Sequence, residues 1–250
     1  MKVLLFFIIH QKSERMLIRA VDLGVTEYES CWNLQRQLFD LRLADAIPDT
    51  LLLTEHPSVY TIGRSGDPNH LLAGPAELKQ KGAAFFYNDR GGDVTFHGPG
   101  QLVGYPILDL HNYYLDLHRY LRDLESVVIR VLDRFHIRGS RIEEYTGVWI
   151  GNDKICAIGI KSSKWVTMHG FALNVSTDLA YFDRIIPCGI FEKGVTSMQE
   201  QLERAVTMEE VVHELLREFA GVFHVDIERA SINDICSEGG TACLQESRLL

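Results

Sequence analysis

Three strand-like runs follow one another closely in the second half of the sequence: Thr146 to Ile150, Lys154 to Ile160 and Lys164 to Val175. They are rich in β-branched and aromatic residues. Gly151-Asn152-Asp153 and Ser162-Ser163 separate them, and both segments suit tight turns. The spacing predicts an antiparallel meander, so the chain must build a sheet and bury it. Helical patterns supply the cover. Thr26 and Glu29 have the spacing of a capping box, and Cys31, Leu34, Leu38 and Leu41 then recur at three- and four-residue steps. From Tyr113 to Phe135 the apolar positions Leu117, Leu121, Leu124, Val128, Val131, Leu132 and Phe135 keep helical period, with Gly139 as the stop. A last helix starts at Thr207, with Glu210 at capping-box spacing, and runs to Gly221. Shorter strand runs lie at Thr50 to Thr54 and Ser58 to Ile62, and Pro75 opens a brief helix that stops at Gly82.

No repeat, low-complexity linker or charge block marks a boundary. The expected fold is a single α+β domain over residues 16–227, preceded by an extension at 1–15 and followed by a loosely docked tail at 228–250. Met16 is a second plausible start, because MLIRAVDLG reads as the first strand. With 250 residues, 46% of them apolar, the chain is long enough to bury one substantial core. The net charge of −9 argues against binding to nucleic acid or to anionic membrane. Five cysteines form no CxxC pair and leave one over, so neither a disulfide framework nor a zinc cage is expected. The histidines lack ligand spacing, and no metal is expected. The apolar run Val3 to Ile9 is short and lacks a small-residue cleavage site, and no other stretch reaches the ~20 apolar residues of a membrane span. A cytoplasmic protein is expected.

Three stretches carry chemistry. In Arg90 to Gln101, RGGDVTFHGPGQ, the glycines Gly91, Gly92, Gly98 and Gly100 flank Asp93, Val94, Thr95, Phe96 and His97. Glycines let backbone approach a ligand closely. Alone, such a run is a hairpin with glycine turns; four polar side chains beside so much bare backbone read better as a ligand wall. No Gly-Lys-Ser/Thr follows, so it is no phosphate loop. In the second stretch, KICAIGIK, strand alternation puts Lys154, Cys156, Ile158 and Ile160 on one face. Gly159 and Gly170 lie in neighbouring strands, where a slot for an extended apolar ligand would open. The third stretch, IIPCGIFEKGVTSM, holds Cys188 between Pro187 and Gly189, outside any apolar pattern. Cys31 and Cys156 have places on a helix face and a strand face; Cys188 has none, which suits a nucleophile. A thiol with a pKa of ~8.5 needs a nearby cation or base to be a thiolate at neutral pH. Lys154 is one candidate, and His97 and His169 are alternatives.

Together these stretches closely resemble the octanoyltransferases, also called lipoyl(octanoyl) transferases, over roughly Met16 to Phe223. The resemblance rests on RGGDVTFHGPGQLVGYPILDL, KICAIGIK, WVTMHGFALNV, PCGI and GVTSM, in that order. It implies a mixed β-sheet flanked by helices plus a smaller sheet, similar to the catalytic domains of lipoate ligases and biotin protein ligases. It implies an acyltransferase that moves octanoyl from acyl carrier protein to one lysine of a lipoyl domain, in a 2-oxoacid dehydrogenase E2 subunit or the glycine cleavage H protein, with no cofactor and as a monomer. By resemblance Cys188 is the thioester nucleophile and Lys154 lowers its pKa. The same resemblance puts Arg90 to His97, Ala157, Ile158 and Gly159, and Gly170, Phe171 and Ala172 around the acyl group. Cys156 departs from the pattern, standing where the family would have a small apolar residue; it reads as a packing residue, with a competing thiol as the alternative. The rivals are an ATP-dependent lipoate ligase, a cysteine thioesterase and a non-catalytic lipoyl-domain-binding protein.

Overall fold

A computed structural model describes residues 15–186 and 193–240. The expectations placed on residues 1–14, on the segment 187–192 with Cys188, and on 241–250 lie outside the described residues. The strands are β1 (Leu17–Val25), β2 (Thr50–Glu55), β3 (Val59–Ile62), β4 (Ala84–Tyr87), β5 (Val94–His97), β6 (Gln101–Ile107), β7 (Ser140–Ile142), β8 (Tyr145–Ile150), β9 (Asp153–Ser163), β10 (Val166–Asn174), β11 (Gly194–Val195) and β12 (Asp226–Arg229). The α-helices are α1 (Tyr28–Leu43), α2 (Pro75–Gln80), α3 (Leu117–Arg134), α4 (Met198–Leu202), α5 (Met208–Phe223) and α6 (Ile232–Glu238). Eight strands form one sheet in the order β12-β1-β2-β6-β10-β9-β8-β7, with β11 joining alongside β9; β4-β3-β5 form a second, small sheet. The main sheet is mixed: β1 runs parallel to β2 and β12, and β6 through β10 pair antiparallel. This is the expected α+β architecture.

Burial explains the strand sequences. Strand β2, TLLLTE, is nearly continuous in apolar residues because it is covered on both faces: Leu51 and Leu53 enter the core under α3 and α5, and Leu52 the one under α1 and α6. Helix α3 sends Leu124, Val128, Val131 and Leu132 into the first core, where α5 adds Val211, Leu215 and Phe219. Each such side chain contributes about 1.5–3 kcal/mol when fully buried. The meander β8-β9-β10 and the Thr207 capping box of α5 are as the sequence indicates. Among the described residues no helix is long and apolar enough to cross a membrane.

Four details differ from expectation. Thr26 does not cap α1; Glu27 is the N-cap, and the Thr26 hydroxyl instead meets Thr54 Oγ1 at 2.7 Å. Helix α3 begins at Leu117 because Asp116 caps it, its carboxylate accepting from Arg119 N at 3.0 Å. The β9–β10 turn is Lys164-Trp165, both at positive φ (48° and 67°), and Ser162 and Ser163 belong to β9. This is the geometry that lets a two-residue hairpin follow the sheet twist. Finally, the chain after Ile227 is docked as far as it is described: Ile232, Ile235 and Cys236 of α6 are buried against α1. Seven residues are too few to show periodicity, so the segment looks patternless in the sequence.

Candidate active site

The register of β9 against β8 slips by one residue. Val148 faces Cys156, whereas Trp149 faces Lys154, so Ile155 is the extra residue of a bulge. Beyond the slip, Lys154 changes sides. It leaves the face of Cys156, Ile158 and Ile160, contrary to the expectation from unbroken alternation, and joins the face of Ala157 and Gly159. Ile155 and Cys156 both enter the core beneath α3 and α5. Cys156 is a free buried thiol, and burial holds its pKa far above the ordinary value. It is thus a packing residue on the far side of the sheet from the lysine.

The side that receives Lys154 borders a cleft between the main sheet, the small sheet and α1. Its wall includes Arg90, Gly92, Asp93, Thr95 and His97 from the glycine-rich stretch, Lys154, Ala157, Ile158 and Gly159 from β9, and Gly170, Phe171 and Ala172 from β10. Gly91, Val94 and Phe96 are placed otherwise. Val94 and Phe96 alternate into the core of the small sheet, and Gly91 N donates to Ile160 O at 2.8 Å, stitching the loop to β9. The slot expected between Gly159 and Gly170 is taken up by backbone. The two glycines are paired across the strands, but a Cβ on Gly159 would lie 2.8 Å from Gly91 O, and one on Gly170 would meet Gly104 O. The bare Cα atoms admit neighbouring chain, and the cleft opens beside them.

Lys154 is 7% exposed, with Nζ 4.6 Å from the centre of the Trp149 ring. Gly147, at φ +129°, lies along its stem: a Cβ there would sit 3.4 Å from Lys154 Cε and 2.6 Å from Cys156 O. Under it, the fully buried Glu125 accepts from Gly147 N at 3.0 Å and from Arg122 and Arg141, each at 2.8 Å. Strand β11 then runs parallel beside the head of β9, Val195 opposite Lys154, and Thr196 N donates to Lys154 O at 3.1 Å. The chain between β10 and β11 carries Cys188. On its near side, Ile186 N donates to His70 O at 2.8 Å.

Two buried histidines, His97 and His169, also line the cleft, and a third, His56, lies edge-on to His97. His56 bridges Thr26 O and Tyr105 Oη, both at 2.7 Å, and burial pushes its pKa down to about 4. His97 contacts Gln101, and burial, with help from His56 and Arg90, pushes it down to about 3. His169, held at φ +58° with its backbone N–H on Gln35 Oε1, has its pKa lowered by burial even though Asp89 lies 2.8 Å from its Nε2. His169 and Lys161 in turn hold the Asp89 carboxyl well below the usual range. The Arg90 guanidinium is spent on structure, donating to Thr61 O at 2.7 Å and Thr61 Oγ1 at 2.9 Å. Tyr28, Gln101, Tyr105, Thr146, Asn174 and Val195 also line the cleft. Sequence reasoning singled out none of them as site residues. Gln101 closes the glycine-rich stretch and was within reach; Tyr28 and Thr146 arrive from distant elements with no local signal.

Residues 27–220 match the family described as Lipoyl protein ligase A/B catalytic domain. A curated Octanoyltransferase from Rubrobacter xylanophilus is 55% identical over 206 residues, spanning 80% of this chain and 90% of that protein. Another, from Cytophaga hutchinsonii, is 45% identical over 239 residues, spanning 88% and 98%. A bi-partite lipoate protein ligase from Thermoplasma acidophilum has the same fold, with a TM-score of 0.71 at 18% identity over 90% of this chain and 91% of that one. With the motif-bearing strands gathered around one cleft, and with identity of this extent, the chain belongs to the lipoyl protein ligase A/B catalytic domain family and, within it, to the octanoyltransferases.

Proposed function

We propose that this enzyme takes an octanoyl group from acyl carrier protein as a thioester on Cys188 and passes it to a lysine of lipoyl domains, those of 2-oxoacid dehydrogenase E2 subunits and of the glycine cleavage H protein, acting as a cytoplasmic monomer. The observation that carries this reading is the placement of Lys154. A buried ammonium at a bulge, in the wall of a cleft, beside the strand that follows the Cys188 segment, is suited to lower the pKa of a thiol. The mostly apolar β9 and β10 wall, with Ala157, Ile158, Phe171 and Ala172, suits a saturated chain.

The first step exchanges one thioester for another and needs no nucleotide: the Cys188 thiolate displaces the carrier-protein sulfur, which takes the Lys154 proton and leaves as a thiol. In the second, a neutral lysine amine attacks the acyl carbon, the N–C bond forms and the C–S bond breaks. The sulfur leaves with the electron pair, and the surplus proton on nitrogen passes to Lys154 in its amine form. The ammonium so formed pairs with the released thiolate, restoring the starting state. Incubation with octanoyl acyl carrier protein followed by intact-mass measurement tests the scheme. The expected result is one octanoyl adduct that disappears in Cys188→Ala and is discharged by a lipoyl domain. An adduct that survives in Cys188→Ala, or acylation of the lipoyl domain that requires ATP, would sink it.

A further inference from the structure

The tautomer of His97 is fixed, through two side-chain amides, by two backbone carbonyls. Thr196 O, which can only accept, lies 3.0 Å from Asn174 Nδ2, so Asn174 turns Oδ1 toward Gln101 Nε2 at 2.9 Å. Phe96 O, likewise an acceptor, lies 3.1 Å from the same Gln101 nitrogen. Gln101 therefore presents Oε1 to His97, and the proton on the 2.8 Å contact belongs to His97 Nδ1. That leaves Nε2 without a proton. It meets no hydrogen-bond partner among the described residues, while the side chain lines the cleft. The ring is held flat against Tyr28, centroids 6.0 Å apart, with His56 edge-on at 5.9 Å. Tyr28, pushed up to about 12 by burial, and His56, pushed down to about 4, are neutral neighbours; Arg90 is the cation and His169 the further imidazole. Burial keeps His97 itself neutral.

A cleft that took only an octanoyl chain would have no use for a bare acceptor. Near the reacting carbon a thioester offers a carbonyl and methylenes, with no N–H or O–H. The attacking lysine nitrogen is the partner in this reaction that brings N–H groups to that carbon. Resting on the octanoyl-transfer reading, we propose that His97 Nε2 accepts a hydrogen bond from the attacking lysine amine, aiming the nitrogen lone pair at the acyl carbon. His97 takes no proton. The bond changes are those given above, with the proton passing to Lys154. Gln101 and Asn174 act through His97 as positioning residues.

The two half-reactions, followed separately by intact mass, distinguish this role from a structural one. His97→Asn keeps a polar group near Nδ1 and loses Nε2. It should form the octanoyl adduct at close to the wild-type rate and discharge it to a lipoyl domain about a hundredfold more slowly. His97→Gln, whose amide oxygen reaches the Nε2 position, should recover most of the discharge rate. Loss of adduct formation in proportion to discharge, normal discharge by His97→Asn, or no gain with Gln overturns the proposal. Should the variants fail to fold, ¹⁵N-histidine spectra of the unaltered protein decide: the expected result is an Nδ1–H tautomer that does not titrate between about pH 5 and pH 8. A proton on Nε2, or titration in that window, overturns it. Wild-type protein that acquires no octanoyl group on Cys188 defeats the transferase reading instead.

Discussion

On the side of the main sheet covered by α3 and α5, strands β9 and β10 present Cys156 and Leu173 to other apolar side chains; on the opposite side the same strands present Gly159, Gly170, Ala172 and Lys154 to the cleft. Apart from the consecutive Ile155 and Cys156, the covered side keeps alternation and helical period, and its residues are apolar throughout. The cleft side departs from both rules, through the slip at Ile155, the positive φ of His169 and a line of amides from His97 to Thr196. Stability is concentrated on one side and reactivity on the other, so substitutions on the two sides should separate the two properties.

The largest separation is expected from Lys154→Met, which retains the stem and removes the charge. Octanoyl transfer should fall by about 10²–10⁴-fold, alkylation of Cys188 near neutral pH should slow, and the thermal midpoint should not drop. Transfer at the wild-type rate would mean that the cleft side does not depend on this cation. Leu124→Ala, in the middle of α3 and fully buried, is the converse. It should cost about 2–5 kcal/mol in denaturant unfolding while kcat stays near wild type wherever the variant is folded; a large kcat loss at full folding would show the two sides to be coupled. The effect that is smallest near neutral pH concerns acid. His56 and His97 have folded-state pKa values of about 4 and about 3, below the unfolded value of about 6.5, so below that pH the unfolded chain binds more protons. Stability should be unaffected by these rings above about pH 6.5 and should fall below it, by about 1.4 kcal/mol per pH unit for each ring down toward about pH 4. Unfolding of His97→Asn across the same range should show the slope reduced by one ring's share; an identical slope would place the titration elsewhere.

The same division governed what could be read from the sequence. The covered side was legible because apolar periodicity in α3 and α5 reports burial directly, and the meander was legible from its turns. The candidate site was legible as a set of stretches, because glycines beside polar residues and a cysteine between Pro187 and Gly189 fit no packing pattern. Their geometry was not. A bulge depends on how β8 pairs with β9, a contact between strands that no single strand encodes, so Lys154 and Cys156 were assigned to one face. Tyr28 was hidden because it sits at the start of an ordinary amphipathic helix, and Asn174 because it ends an ordinary strand. Val94 and Phe96 were included with their polar neighbours, though alternation within β5 turns them away from the cleft.

The burial of two thiols has a practical consequence for labelling. Cys31, at 0% exposure and pushed up to about 12, and Cys156, also at 0% and held higher still, stay protonated and out of reach of electrophiles in the native molecule. A maleimide or iodoacetamide reagent added before unfolding should therefore skip both of these thiols. Cys31 and Cys156 therefore need not be removed before a fluorophore or cross-linker is applied to the native protein.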